Sequence, residues 1–295
     1  KVEVAENRHL NVKKRRKIRL FDLIELFLEE HSKVNKNSYT DDIYRSNILK
    51  RYFGNIYIDK ITPRVIESFK ARMKNRVKES TINRYLTLLK TMYNKAIVWE
   101  LVEDNPVSKV KLFKENNTVI RYLEKYEIGK LIECAPNEVI KGIIITAINT
   151  GMRKMEILNL KWADIDLERN ILYIWNSKNK ESRKIPINNV LLKFFKSYKD
   201  NIDAKSRYVF LNSKGKEYRD IRKPFKKALD NAGIKNFRFH DLRHTFASHL
   251  VMNGVEIMTI SKFLGHKSIE MTMRYAHLSP GYKAKAIEKL NYYIE

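Results

Sequence analysis

The 295-residue chain is long enough for two ordinary domains, and 43% hydrophobic residues can fill their cores. Its 59 Lys and Arg against 34 Asp and Glu leave a net charge of +25, which implies a polyanionic partner, because neutralising phosphates releases counterions. A helical membrane span is excluded by the longest apolar stretch, around Gly142 to Ile148, far short of the ~20 residues a bilayer requires.

Residues 1–19 are polar and end in a run from Lys13 to Arg19 in which six of seven residues are basic; such a run serves either DNA phosphates or a solvated tether. The chain begins at Lys1, and scattered charges occupy the place of a secretory signal. From Leu20 the pattern is helical: Leu20, Leu23, Ile24, Phe27 and Leu28 recur at the spacing of one buried helix face. A second helix is predicted from about Tyr39 to Tyr52, stopping at Gly54. A third starts at Thr62-Pro63, a capping residue followed by proline at the first helical position, and buries Ile66, Phe69 and Met73. Lys70, Arg72, Lys74, Arg76 and Lys78 crowd its end, a solvated face or a phosphate contact. A fourth follows Ser80, carries Ile82, Tyr85, Leu86, Leu89, Tyr93, Ala96 and Ile97, and ends before Asn105-Pro106. Residues 20–106 thus form a helical domain, and 107–119, charged and aperiodic, read as a linker.

Residues 120–295 form the second domain. Helical patterns fill about 124–160; Ile171 to Trp175 and Arg183 to Ile187 are β-prone, with a polar turn over Ser177 to Glu181. Helices resume after about 189, and glycines 233, 254 and 265 suit helix ends. The fold class is therefore mainly α with a small β-sheet, α+β. The one cysteine, Cys134, supports neither an internal disulfide nor a cysteine-rich metal site, and reads as a small buried hydrophobe.

Attack on a phosphodiester needs a nucleophile, positive hydrogen-bond donors for the phosphate oxygens, and a proton for the leaving oxygen. Arginine suits the second task because its planar fork donates two hydrogen bonds and stays charged. The second domain carries these residue types in five blocks. Arg153 and Glu156 stand three apart on a predicted helix, where the acid can orient the arginine. Lys178 and Lys180 lie at the predicted turn, two residues apart and on one side of a strand. His240 and Arg243 share a helical face, His266 follows Leu264-Gly265, and Tyr275 lies between Arg274 and Ala276. Each block alone has a bland reading: a surface ion pair, solvated turn lysines, a satisfied buried histidine, a helix end, a core tyrosine.

Taken together and in order, the blocks TGMRKMEILNL, SKNKESRKIPI, FHDLRHTFASHL and LGHKSIEMTMRYAH resemble the tyrosine recombinase, or phage integrase, family over about residues 20–280. The resemblance implies a helical core-binding domain and a mixed catalytic domain forming a C-shaped clamp on DNA. It implies that Arg153 and Arg243 clamp the scissile phosphate, that His240 and His266 contact it, and that Lys178 protonates the leaving 5′ oxygen. Tyr275 is then the nucleophile of a 3′-phosphotyrosine intermediate, and Glu156 supports Arg153. It further implies strand exchange through a Holliday junction by a homotetramer on double-stranded attachment sites. Accessory DNA-bending proteins are further partners, and no membrane, metal, ATP or other cofactor is involved. The implied location is the bacterial cytoplasm, at the nucleoid.

Met155 stands where the family commonly has a small residue, and a larger side chain there would crowd the first helix of the site. Residues 2–19 look like the connector that follows an arm-binding domain, so the chain is expected to be an integrase without its first domain. The alternatives are a chromosome-dimer resolvase of the Xer type, a type IB topoisomerase, and a DNA-binding protein with a decayed site. After Tyr275, Ile287, Leu290 and Ile294 form an apolar stripe on a predicted helix that docks either on a neighbouring subunit or on its own domain.

Overall fold

The structure is a computed structural model that describes residues 17–115, 120–175, 182–201 and 206–279. The chain divides into two compact units, residues 1–116 and 117–295. Lys178 and Lys180 and the apolar stripe Ile287, Leu290 and Ile294 lie outside the described residues.

The first unit is built on four helices: α1 (Leu20–Phe27), α2 (Tyr39–Phe53), α3 (Pro63–Lys74) and α4 (Glu79–Val98). Leu20, Leu23, Ile24 and Phe27 of α1 are fully buried, joined by Leu49, Phe69, Leu86, Leu89 and Met92. Helix α1 does not stop at Leu28. It widens into a π-helical turn, Leu28–Ser32, and closes with Lys33–Asn35. That turn seats Ser32 in the interior, where its hydroxyl donates to the buried Asp42 at 2.8 Å, and Lys36 reaches the same carboxylate oxygen at 2.8 Å. The Thr62 side chain caps α3 by accepting from the Val65 N–H, and Pro63 takes the first helical position.

The stretch 107–119 differs from a free linker in its first half. Pro106–Lys109 form a 3-10 turn that buries Val107 and Val110 in the core of the first unit. The Lys70 ammonium donates to the Lys111 carbonyl at 2.6 Å, and the Asn83 side chain both donates to and accepts from the Phe113 backbone. Two apolar residues three apart are too short a pattern to register as structure in the sequence, yet they suffice to seat the segment once a core lies beneath them.

The second unit runs through α5 (Lys125–Glu133), α6 (Glu138–Thr150), α7 (Lys154–Leu158), a three-stranded antiparallel sheet, then α8 (Asn189–Asp200), α9 (Arg222–Ala232), α10 (Asp241–Met252), α11 (Ile257–Leu264) and α12 (Glu270–Met273). The strands are β1 (Ile165–Asp166), β2 (Ile171–Trp175) and β3 (Ser182–Pro186), in the order β1-β2-β3. Leu172 pairs with Ile185 and Ile174 with Arg183, so the inward face of the β2–β3 pair carries apolar residues and one arginine. The core gathers Ile140, Ile143 and Ile144 of α6, Leu172, Ile185, Leu191, Phe195 and Phe210. The chain enters this unit tied to α10: the Leu123 N–H donates to Thr245 Oγ1 at 3.1 Å, and His249 Nε2 lies 2.8 Å from the Leu123 carbonyl. Among the described residues no helix is long and apolar enough to cross a membrane.

Candidate active site

Four segments of the second unit meet at one place: the turn from α6 into α7, strand β3, the start of α10, and the end of α11 with the residues that follow it. The end of α11 explains why. The last carbonyls of a helix have no intrahelical partner and carry the negative end of its dipole. Here each of three such oxygens receives a guanidinium: Phe263 O from Arg183 Nε at 2.9 Å, Leu264 O from Arg243 Nη2 at 2.6 Å, and Gly265 O from Arg153 Nη2 at 3.0 Å.

One carboxylate stands among the three arginines. Glu156 takes Arg183 at 3.1 and 2.5 Å, Arg153 Nη1 at 3.0 Å, and the Arg153 backbone N–H at 2.8 Å. Arg153 is therefore not on the helix with Glu156, as its spacing suggests. It has extended backbone immediately before α7, and Glu156 in the first turn caps the helix while bracing the arginine side chain. Burial raises the Glu156 pKa, but hydrogen bonding and charge from Arg183, then Arg153, outweigh it and hold the carboxyl below its ordinary value. Met155 points away, 47% exposed, so its size does not crowd α7.

Arg243 is 3% exposed and held at both ends, by Leu264 O and by Gly151 O at 2.8 Å. Burial, and then repulsion from Arg153 and Arg183, pull its pKa down to about 9, which still leaves it charged at neutral pH. Gly151 ends α6 in the left-handed conformation, φ +62°, and a Cβ there would come within 2.4 Å of the Phe246 ring. Three guanidinium groups against one carboxylate leave two positive charges in excess, with Arg243 buried and Arg183 nearly so while the Arg153 side chain stays 41% exposed.

The histidines line this charge. His266 Nδ1 lies 2.7 Å from the buried Thr272 hydroxyl, and burial, then Arg243 and Arg153, lower its pKa to about 4. His240 precedes α10 and is open to solvent on one side. Packed protein atoms, then Arg243, lower its pKa as well. Its ring stands edge-on to His244 at 5.1 Å. Tyr275, in the turn after α12, is 1% exposed and packs with Ala247, Val251, Ile260 and Leu264. Its hydroxyl lies 2.6 Å from His244 Nδ1. Burial raises the Tyr275 pKa, partly offset by Arg243 and Arg274, so the phenol is protonated at neutral pH.

The structure thus brings Arg153, Glu156, His240, Arg243, His266 and Tyr275 into one region. Sequence reading missed Arg183 and His244. Both had a signal: Arg183 falls on the inward face of an alternating strand with Ile185 and Ile187, where a charge needs a partner, and His244 stands one helical turn from His240.

Residues 121–281 match the phage integrase family, and residues 19–113 match the phage integrase SAM-like domain. The chain belongs to the phage integrase family of tyrosine recombinases. Tyrosine recombinases are DNA strand transferases. The chain is 30% identical to the integrase of Salmonella phage P22, over 87% of this chain and 75% of that one. It is 27% identical to the XerC-like tyrosine recombinase of Caldanaerobacter subterraneus subsp. tengcongensis, over 93% of this chain and 83% of that one. In fold it is similar to the Tn1549 transposon integrase solved in complex with a circular intermediate DNA, with a TM-score of 0.80, 20% identity, and coverage of 93% of this chain and 100% of that one.

Proposed function

We propose that this tyrosine recombinase cleaves and rejoins double-stranded DNA at specific sites, with Tyr275 as the nucleophile, in the manner of an integrase of a phage or mobile element. The observation that carries the reading is the partly buried excess of positive charge, with a tyrosine hydroxyl beside it. Arg153 and Arg243 keep donors to spare after meeting their carbonyls, and a phosphodiester supplies the missing negative charge. The Tyr275 oxygen attacks phosphorus, the 5′ oxygen departs, and the 3′-phosphotyrosine conserves the energy of the broken bond. His266 and His240 flank the phosphate, and Lys178 or Lys180 protonates the leaving oxygen. The helical first unit, with its Arg72 to Lys78 cluster, serves as the core-binding domain on the duplex; Lys70, expected to join that cluster, is buried and holds the Lys111 carbonyl instead. Exchange between two duplexes through a Holliday junction needs four cleavage sites, hence a homotetramer on DNA.

The test is a nicked duplex that traps the covalent adduct, incubated in excess EDTA. Wild-type protein should accumulate a DNA–protein adduct on the peptide containing Tyr275. Tyr275→Phe should form none while binding the half-site within about twofold, since phosphate charge dominates affinity. An adduct formed by the Phe variant, or binding without any wild-type adduct, refutes the assignment; the second result would leave a DNA-binding protein with a decayed site. Relatives named as Xer-type recombinases keep chromosome-dimer resolution as the second reading. Attachment-site repeats flanking the gene would favour integration.

A further inference from the structure

The phenol proton of Tyr275 must go somewhere when the oxygen bonds to phosphorus. Resting on the reading of Tyr275 as nucleophile, we infer that His244 is a catalytic residue that accepts this proton at Nδ1 and returns it when the strand is rejoined. Three observations carry the inference. The Tyr275 hydroxyl and His244 Nδ1 are 2.6 Å apart, within the distance of a short O–H donor bond. Tyr275 is 1% exposed, so bulk water does not take the proton directly. His240, the histidine expected from the sequence to act at the phosphate, has its ring edge-on to that of His244 at 5.1 Å, while the hydrogen bond to Tyr275 is made by His244.

The position of His244 is fixed from both sides. It lies on α10 one residue after Arg243, whose guanidinium is pinned by Gly151 O and Leu264 O. It is followed by Thr245, whose hydroxyl donates to the Asp241 carbonyl at 2.9 Å. The charged and titratable groups that bear on the ring are His240, Asp241, Arg274, Arg238 and His266, and Arg243 and Arg274 bear on Tyr275. Burial, then His240, hold the ring neutral, which leaves Nδ1 free to be the acceptor in the matching tautomer. The arrival of a phosphate anion shifts the balance, since a nearby negative charge favours the protonated imidazole.

Oη of Tyr275 forms the bond to phosphorus and the bond to the 5′ oxygen breaks. The phenolic proton passes to His244, and a separate proton from the general acid meets the leaving oxygen. In rejoining, the 5′ hydroxyl attacks and gives its proton back to the general acid, the tyrosine oxygen leaves, and the imidazolium returns its proton to that oxygen.

The experiment uses His244→Asn in the full chain, because the Asn amide oxygen can stand near the Nδ1 position and accept a hydrogen bond but not a proton. Single-turnover adduct formation on the nicked duplex should slow by about 10²-fold, with half-site binding and thermal unfolding close to wild type. Replacing Tyr275 in that variant by 3,5-difluorotyrosine, a phenol acidic enough to ionise near neutral pH, should restore most of the rate. His244→Gln, read with the same rescue, covers a failure of the Asn variant to fold. An Asn variant within about threefold of wild type, or a loss that difluorotyrosine does not diminish, overturns the role of His244. An adduct mapped to a residue other than Tyr275 instead refutes the nucleophile assignment beneath it.

Discussion

Removing Glu156 should be highly damaging although it is neither the proposed nucleophile nor a proposed phosphate ligand, because it braces one of those ligands, Arg153, directly. Glu156→Ala abolishes four hydrogen bonds at once. The side chain of Arg183 is 13% exposed, and that of Glu156 18%, so Arg183 is left as a buried cation with a single neutral partner, Phe263 O. Breaking a buried pair in this way costs about 3–5 kcal/mol. Arg153 recovers more easily, because its side chain is 41% exposed and water can replace the lost acid. A loss of about 3 kcal/mol in the second unit is therefore expected, together with cleavage slowed by about 10²-fold as Arg153 loses its brace. The assay is urea unfolding followed by Trp162 fluorescence, with Trp99 and Trp175 replaced by Phe, beside adduct formation on the nicked duplex. A second substitution separates the two effects. Glu156→Leu combined with Arg183→Met removes both charges, and most of the stability should return, because a buried ion pair contributes little over an apolar pair. Cleavage should stay low. If Glu156→Ala costs under about 1 kcal/mol, or the double variant is no more stable than the single one, the pair is not acting as a buried, mutually dependent charge pair.

The pKa shifts give a pH prediction with a definite sign. His244 and His266 are held at about 4, below the ordinary 6.5, so the unfolded chain binds more protons between those values. Stability of the second unit should fall as pH drops from about 6.5 toward 4, with Glu156 adding a further loss in stronger acid; a transition temperature flat from pH 7 to 4.5 would contradict this. Gly151→Ala should destabilise by about 2–4 kcal/mol, from the left-handed backbone and the clash with Phe246 together, and calorimetry showing less than about 1 kcal/mol would disprove the close approach. A leaving sulfur in place of the 5′ oxygen should rescue Lys178→Ala, since a good leaving group needs no acid; rescue of Lys180→Ala instead moves the role two residues along.

The helices of the first unit were legible because each carries its own period. Leu20, Leu23, Ile24 and Phe27 announce α1, and Thr62-Pro63 announces the start of α3. The π-helical turn after Phe27 was not legible, because its cause is tertiary: Ser32 and Lys36 turn inward to Asp42, ten and six residues from it in sequence. The site divides in the same way. Arg153, Arg243, His266 and Tyr275 stand in recognisable blocks, while the partners that hold them are mostly backbone. No residue type encodes the carbonyls of Gly151, Leu264 and Gly265 as acceptors; only the ending of α6 and α11 at left-handed glycines exposes them. Arg183 was obscured because it comes from a strand, 27 residues from the acid it pairs with.

The electrostatics of the site follow from this use of backbone. A carbonyl oxygen holds a guanidinium in position through a dipole, which orients the donors without cancelling the charge. Three carboxylates in place of Phe263 O, Leu264 O and Gly265 O would hold the same arginines equally firmly and leave nothing for a phosphate to neutralise. No acid at all would leave Arg183 buried without an anion and Arg153 without its brace. One acid and three carbonyls lie between those limits; burial first, and then repulsion from Arg153 and Arg183, depresses the pKa of Arg243. The free site is accordingly less stable than it could be, and an anion entering it relieves repulsion that already exists. A neutral substrate would not do so, nor would a cation, whereas the phosphodiester proposed above would bring the negative charge that Arg153 and Arg243 lack.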